Sequence, residues 1–409
     1  MYIHGIILQA MPSKRDLNEL VNRAKSYDTA CILVSNDFAD AYGRFELMAG
    51  YGVQSSCSSL DTLRSDILQF GFLSYDLKNQ FEKLSSKHPA WIEAPDMFFF
   101  EPKEFYLQQR DGQCIENLTW LDTPFSEHDS QFRCGEWECS VSKQEYLDTI
   151  HTIRNHIREG DYYELNFCTE WRTSYTGSAD PYQLFLELNQ KAPAPFAVFF
   201  KRGNSYLLSS SPERFLNGAG DLVVSQPIKG TRKRLAGAHE DAQVRTELMT
   251  SEKDRAENIM ITDLVRNDLS IFCKPGTVEV EELCGIYSFS HVHQMISTVT
   301  GEMRQGLDVR DAIRATFPMG SMTGAPKIKV MEVTDLLEGF RRGLYSGSVG
   351  YTFNGDFDFN VVIRALQLDT EKSRIAYHVG GAITYDSHPE SEYDECLAKA
   401  QSMLAVIPK

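Results

Sequence analysis

The chain has 409 residues, of which 42% are apolar and 24% charged, and it carries a formal net charge of −16. This is a globular composition with ample core material and length for two or three domains or one large composite domain. So negative a surface excludes nucleic acid and anionic membranes as general partners, and an anionic substrate would need a local basic pocket.

The opening stretch "MYIHGIILQAMPSKR" has no basic segment ahead of its apolar patch. No run of 18 apolar residues occurs either, so neither a signal peptide nor a membrane span is expected. Nine scattered cysteines with no Cys-x-x-Cys pair read as reduced thiols of a cytoplasmic protein. Residues 1–100 mix short apolar runs with helical patches. Residues 107–140 are polar and irregular and form the boundary between an N-terminal region, 1–135, and a second region, 140–406.

Ser142 and Glu145 then form a capping box. Tyr146, Ile150, Ile153 and Ile157 make a helical stripe that Gly160 stops. Strand-like runs follow: "YYELNFCTEW", "FAVFFKR", "SYLLSSS" and "DLVVSQPI". A long helix is expected from Ser251 to about Leu269. More strands come next: "TVEVEEL", "YSFSHVHQMISTVTGEM", "LYSGSVGYTF", "FNVVIRALQLD" and "RIAYHVGGAITY". A last helix opens after Ser387, with Glu390 completing a second capping box. Strands outnumber the helices between them, which predicts an α+β fold built on antiparallel sheet.

Several residues could carry chemistry. Lys229 sits in "SQPIKGTRKR". Neutralising a lysine at pH 7 costs roughly 4 to 5 kcal/mol, and burial or the flanking Arg232, Lys233 and Arg234 would lower that cost. The plain alternative is a solvated surface lysine. Glu213, in "SSSPERF", lies sixteen residues earlier across a hairpin-like return. It could shuttle protons with the lysine or simply pair with Arg214 or Arg232. Glu257 shares a helix face with Met260, Ile261 and Leu264, where a carboxylate needs a partner; Lys253 or a bound cation could serve.

Glu392 and Glu395 lie one turn apart on the last helix, with Lys399 one turn beyond. They read either as an acidic first turn favoured by the helix dipole or, with Glu257, as a Mg²⁺ site. Gly380 and Gly381, just ahead of that helix, could admit an anion to the backbone. "FPMGSMTGAPK" is a tight loop ending on the cation Lys327. Arg364, within an apolar strand, calls for a carboxylate from the protein or a ligand. His291 and His293 alternate onto one strand face, for which packing or hydrogen bonding is favoured over a metal pair.

These segments, taken in order, resemble the chorismate-utilising enzymes. The resemblance spans about residues 140 to 406 and rests on "SPERF", "PIKGTR", "KDRAENIMITDLVRNDL", "FPMGSMTGAPK", "YSGSVGY", "VVIRALQL" and "GGAITYDSHPESEYDECLAKA". "GRFELMAGYG" extends it more loosely to the N-terminal region. The resemblance implies two face-packed, largely antiparallel sheets with outer helices and a site between them. Within the family the anthranilate-forming branch carries alanine in a PIAGTR-like motif, whereas the aminodeoxychorismate-forming branch carries lysine, as at Lys229.

The implied reaction is amination of chorismate to 4-amino-4-deoxychorismate, toward p-aminobenzoate and folate. The lysine attacks C2, the C4 hydroxyl leaves, and ammonia then adds at C4 and expels the lysine. Glu213 matches the general acid/base. Glu257 and Glu395 match Mg²⁺ ligands, with Glu392 beside them. Tyr351, Arg364, Gly380 and Gly381 match a clamp on the pyruvyl-ether carboxylate, Thr323 and Gly324 a substrate-lining loop, and Lys399 is counted with them as a substrate-binding residue. Ammonia would come from a separate glutamine amidotransferase subunit, since no glutaminase segment is visible in this length.

Two positions depart from the family pattern. Gln294 stands where relatives carry a histidine, and Ala382 replaces the third glycine of a GGG run. Isochorismate- and salicylate-forming relatives carry a base lysine where this chain has Glu164, which disfavours them. The alternatives are an anthranilate-forming or another chorismate-utilising enzyme, and a catalytically weak paralogue.

Overall fold

The computed structural model describes residues 15–119, 131–289 and 292–408, with the strand pair Tyr2–Ile3 and Ile6–Ile7 ahead of them. The expectations placed on His291 and on the polar stretch 120–130 lie outside the described residues. Among the described residues, no helix is long and apolar enough to cross a membrane.

The principal strands are β1 (Thr29–Val34), β2 (Phe45–Cys57), β3 (Gln69–Leu73) and β4 (Met97–Gln109) in the N-terminal region. They continue with β5 (Glu164–Ser178), β6 (Phe196–Arg202), β7 (Ser205–Ser211), β8 (Arg214–Ala219), β9 (Leu222–Gln226) and β10 (Ile228–Lys233). The last are β11 (Glu279–Ser288), β12 (Val292–Glu302), β13 (Ser348–Phe353), β14 (Asp356–Asn360), β15 (Ala365–Asp369) and β16 (Arg374–Ile383). Every pairing among them is antiparallel. The expected α+β class is therefore what the chain forms.

The strands join into one ladder. Its order is β5, β16, β15, β7, β6, β1, β2, β4, β3, β13, β14, β8, then β9 and β10 end to end along β12, and finally β11. The N-terminal strands occupy its middle. The two expected sheets are thus two stretches of one ladder, which turns back until its ends meet: Lys229 on β10 touches Glu164 on β5. Aromatic rings pack the middle, with Phe72 edge-on to Phe200 at 5.2 Å and Phe45 edge-on to Tyr351 at 5.5 Å. Each ring that is fully buried in this way contributes about 2 kcal/mol.

Two links let the chain cross between the stretches. One joins β7 to β8 and carries Glu213. The other joins β14 to β15 and carries Arg364. They run side by side: the Val361 amide donates to the Glu213 carbonyl at 3.0 Å and the Ser210 amide to the Arg364 carbonyl at 3.1 Å. The Ser211 hydroxyl also donates to the Val361 carbonyl at 2.5 Å. The second link corrects the expectation of one strand through "FNVVIRALQLD". Residues 361–364 leave the ladder, and Arg364 adopts φ +49°, which breaks the strand's alternation.

The helices follow their local signals with one exception. In α1 (Lys143–Glu159), Ser142 and Glu145 form the reciprocal capping box, and Gly160 ends the helix at φ +87°. Next come α2 (Pro181–Lys191), α3 (Ala238–Thr250) and α4 (Glu252–Ser270), the last capped by the Ser251 side chain accepting from the Asp254 amide. Then follow α5 (Val309–Thr316), α6 (Lys327–Glu338) and α7 (Pro389–Leu404). The exception is the second capping box. Pro389 takes the first helical position, which makes His388 the N-cap, while the Ser387 hydroxyl accepts from the Thr384 amide within the preceding turn.

Candidate active site

Lys229 lies on a β-bulge. The register of β10 against β12 shifts between Ile228 and Thr231, and Gly230 takes φ +87°. A Cβ at Gly230 would come within 3.0 Å of Asp254 Oδ1 and 2.9 Å of Leu248, so glycine is needed there on two counts. The bulge turns Lys229 inward, and its side chain is 11% exposed. Lys229 Nζ donates to Glu164 Oε1 at 2.8 Å. The solvated-surface reading therefore fails.

The reading of a lysine depressed by neighbouring cations is also corrected. Arg232 points away to pair with Asp254 at 2.6 Å, and Arg234 pairs with Asp241 at 2.8 Å. Burial pushes the Lys229 ammonium toward neutrality, but Glu164 and Glu257, with Glu213 behind them, outweigh it and hold its pKa above the ordinary lysine value. At neutral pH Lys229 is therefore held as a cation.

Glu213 is 4% exposed. Neither expected arginine reaches it. Arg214 is taken by Asp40 and Asp358, and Arg232 by Asp254. Burial pushes the Glu213 carboxyl up to about 7, against the opposing pull of Ser321 and Lys229. A carboxyl poised there can give or take a proton at neutral pH.

Glu257, on α4, is likewise pushed up to about 7 by burial. Its Oε1 is buried without a hydrogen-bond partner and lies 3.8 Å from Lys253. Lys253 also reaches Glu392 Oε1 on α7 at 3.2 Å, so this lysine spans the two helices. Glu395 pairs with Lys399 at 2.8 Å, and that cation holds its carboxyl below the ordinary range. Lys399 Nζ also donates to the Gly380 carbonyl at 2.8 Å.

The three carboxylates face one another across α4 and α7 without converging. Among the described residues, the one trio of potential ligands within 4.8 Å of one another is the exposed set His156, Glu159 and Asp161. The donor chemistry nonetheless suits a hard cation. Glu257 offers an orphaned buried oxygen, and a Cβ on Gly381 would lie 3.5 Å from Glu392 and 4.0 Å from Glu395. The bare backbone of Gly381 thus borders the acidic group. Mg²⁺ needs only one or two carboxylates beside waters and substrate oxygens.

Arg364 is held at the crossing of the two links. Among the described residues no carboxylate pairs with it, and burial lowers its pKa from the ordinary arginine value. The protein-partner reading of this arginine is thereby set aside, and a ligand carboxylate would meet an uncompensated cation. Thr323 is fully buried, and its hydroxyl is within hydrogen-bonding distance of the Met319 and Gly320 carbonyls, at 3.2 Å each. Gly324 packs against β5: a Cβ there would meet the Glu164 carbonyl at 2.1 Å.

Tyr351 is not brought to the site. It lines a separate cavity with Asp40, Arg110 and Asp358. Gln294 is buried with an unpartnered Oε1, while His293, its neighbour along β12, bonds Asp241 at 3.1 Å and Ser288 at 2.8 Å. That is the hydrogen-bonded histidine the sequence favoured. The contact between Glu164 and Lys229 was not foreseen; the available signal was a carboxylate set in the apolar run "ELNF".

A family profile described as chorismate binding enzyme matches residues 38–405. The chain belongs to the chorismate-binding enzyme family. The match begins well ahead of residue 140, in keeping with the N-terminal strands in the middle of the ladder. Aminodeoxychorismate synthase component 1 of Klebsiella aerogenes is 36% identical over 82% of this chain and 76% of its own length. Anthranilate synthase component 1 of Saccharolobus solfataricus is 34% identical over 82% and 80%. The chloroplastic aminodeoxychorismate synthase of Arabidopsis thaliana is 42% identical over 64% of this chain, which spans only 28% of that protein. The crystal structure of anthranilate synthase component I from Streptococcus pneumoniae shares the fold, with a TM-score of 0.73 at 24% identity over 98% of this chain and 95% of its own.

Proposed function

We propose that this chain is the component of an aminodeoxychorismate synthase that aminates chorismate to 4-amino-4-deoxychorismate. The observation that carries the reading is Lys229, a buried lysine aimed inward by a bulge and set among three carboxylates. An anthranilate-forming enzyme has alanine at this position by the family pattern. Relatives named aminodeoxychorismate synthase from bacteria and plants support the reading, and an anthranilate synthase component 1 at comparable identity is the less favoured alternative.

In this reading Lys229, once neutral, attacks C2 of the ring. Glu213, protonated near pH 7, gives its proton to the departing C4 hydroxyl. Arg364 meets the pyruvyl-ether carboxylate. The backbone of Gly381 leaves room beside the acidic group, whereas the Cβ place of Gly380 is filled by the Phe167 carbonyl of β5. Glu257 and Glu395, with Glu392 adjacent, would hold Mg²⁺. When bound, that ion supplies positive charge for the ring carboxylate and the developing leaving group. Ammonia then adds at C4 and Lys229 departs.

A glutamine amidotransferase subunit is proposed as the ammonia source, by analogy with the component naming of the bacterial relatives. The nine free cysteines support a reducing, cytoplasmic setting. Incubation with chorismate, Mg²⁺ and ammonium, with products identified by mass spectrometry, tests the reading. Aminodeoxychorismate is expected; anthranilate as the main product would move the chain to the other branch.

A further inference from the structure

We propose that Glu164 is the proton acceptor that arms Lys229. The inference rests on Lys229 being the nucleophile. Glu164 Oε1 accepts from Lys229 Nζ at 2.8 Å. Glu164 is 1% exposed, and its second oxygen, Oε2, is buried with no hydrogen-bond partner. A carboxylate placed only to pin a lysine gains nothing from an orphaned buried oxygen. One that must receive a proton has an unsatisfied atom ready for it.

The backbone around Glu164 is fixed. Glu164 and Leu165 pair with Ala325 and Gly324, and the Asn166 amide donates to the Thr323 carbonyl at 2.8 Å. Gly324 has no Cβ because the Glu164 carbonyl occupies that place. The Asn166 side chain donates to the Ser321 carbonyl at 3.0 Å, and the Ser321 side chain acts on Glu213. A single loop, residues 321–325, therefore registers Glu164 on one side and Glu213 on the other. The two acids divide the work: Glu213, influenced by the Ser321 side chain of that loop, protonates the leaving hydroxyl, while Glu164 holds the amine.

The protons balance. The Lys229 ammonium gives one proton to the Glu164 carboxylate. The freed lone pair forms the C2–N bond, the ring double bonds shift, and the C4–O bond breaks as Glu213 protonates the oxygen, which leaves as water. Ammonia forms the C4–N bond, the double bonds shift back, and the C2–N bond breaks. The new ammonium at C4 returns a proton to Glu213, and Glu164 returns its proton to Lys229. The sum is chorismate plus ammonia to aminodeoxychorismate plus water.

Glu164→Gln keeps volume and a hydrogen-bond acceptor but takes no proton. Wild type, Glu164→Gln, Glu164→Asp and Lys229→Ala should be compared with ammonium as nitrogen donor. Readouts are the kcat and KM for chorismate, the rate of adduct formation on Lys229 by intact mass, and thermal melting to verify folding. The expected result is a fall of about 100-fold in kcat and in adduct rate for Glu164→Gln, little change in KM, and partial retention in Glu164→Asp. If Glu164 only pins the lysine, its removal frees the amine, and kcat and adduct rate hold or rise; that result overturns the inference. Should Glu164→Gln not fold, Glu164→Asp decides, because withdrawing the carboxylate by one methylene must slow the adduct. Wild type without aminodeoxychorismate, or Lys229→Ala at full activity, would instead sink the functional reading, and this inference with it.

Discussion

Two buried ionic clusters lie in the same ladder, and they are finished to different degrees. Around Arg214 every donor is met: Asp358 bonds Nε at 2.9 Å, Asp40 bonds both terminal nitrogens, and Gln226 adds a further bond at 2.7 Å. Burial works against this arginine, but its two carboxylates outweigh it and raise its pKa. Around Lys229 the accounts stay open. Three carboxylates face one ammonium, and Glu164 Oε2, Glu257 Oε1 and Gln294 Oε1 all lack a hydrogen-bond partner. Burying unmatched polar groups costs stability. A fold that completes one cluster and leaves the other incomplete marks the second as the place where a ligand supplies what is missing.

The largest effect that would sharpen this contrast is chemical. Lys229→Ala should take aminodeoxychorismate formation to the limit of detection, measured by product mass spectrometry, while the protein still melts cooperatively. Next, Arg214→Met should cost on the order of 3 to 5 kcal/mol in urea unfolding, because it strands two buried carboxylates. The folded fraction should keep its turnover. Comparable stability losses from both variants would erase the distinction between the clusters.

Glu213→Gln should cut turnover about 100-fold and at the same time stabilise the protein at pH 8. The folded-state pKa of about 7 lies above the ordinary 4.5. The native state therefore holds that proton more tightly than the unfolded chain does. The resulting stability is fully present below 4.5 and is lost as pH rises through 7. At pH 8 the wild type bears a buried charge that glutamine removes, so a gain of about 3 kcal/mol is expected, fading toward pH 5. A variant of equal stability at both pH values would contradict the buried-acid reading.

Gly381→Ala is a smaller change. Its Cβ fits at ordinary contact distances from Glu392 and Lys399, so stability should hold. The KM for chorismate should rise about tenfold, or about 1.4 kcal/mol, because space beside the clamp is filled. The smallest effect is expected at Ser387→Ala. Its hydroxyl bonds within a turn rather than capping α7, so the loss should stay near 1 kcal/mol, with no fraying of that helix by hydrogen exchange.

Ser387 also shows where the sequence could be read and where it could not. The box at Ser142 and Glu145 forms as its spacing indicates, because nothing nearby competes for it. At Ser387 a proline two residues on fixes the helix start and overrides the same signal. Lys229, Glu213, Glu257, Glu392 and Glu395 were all legible as candidates: Glu257 as a carboxylate on an apolar helix face, Glu392 and Glu395 as like charges one turn apart, and Lys229 and Glu213 by their motifs. The state of Lys229 was not. Sequence neighbours suggested cations around it, but the residue that holds it, Glu164, is 65 positions away and meets it only because the ladder turns back on itself. Arg364 was legible as unusual, yet its place in a link between strands depends on a left-handed backbone that no local glycine announces. Tyr351 looked like part of the clamp, and strand register turns its ring into a different cavity.

The most direct measurement is intact-protein and peptide mass spectrometry after mixing the enzyme with chorismate and Mg²⁺ in the absence of ammonia. An adduct of chorismate less one water, mapped to the peptide containing Lys229 and discharged as aminodeoxychorismate when ammonium is added, is the predicted result. Aminodeoxychorismate formed at the wild-type rate by Lys229→Ala would contradict it.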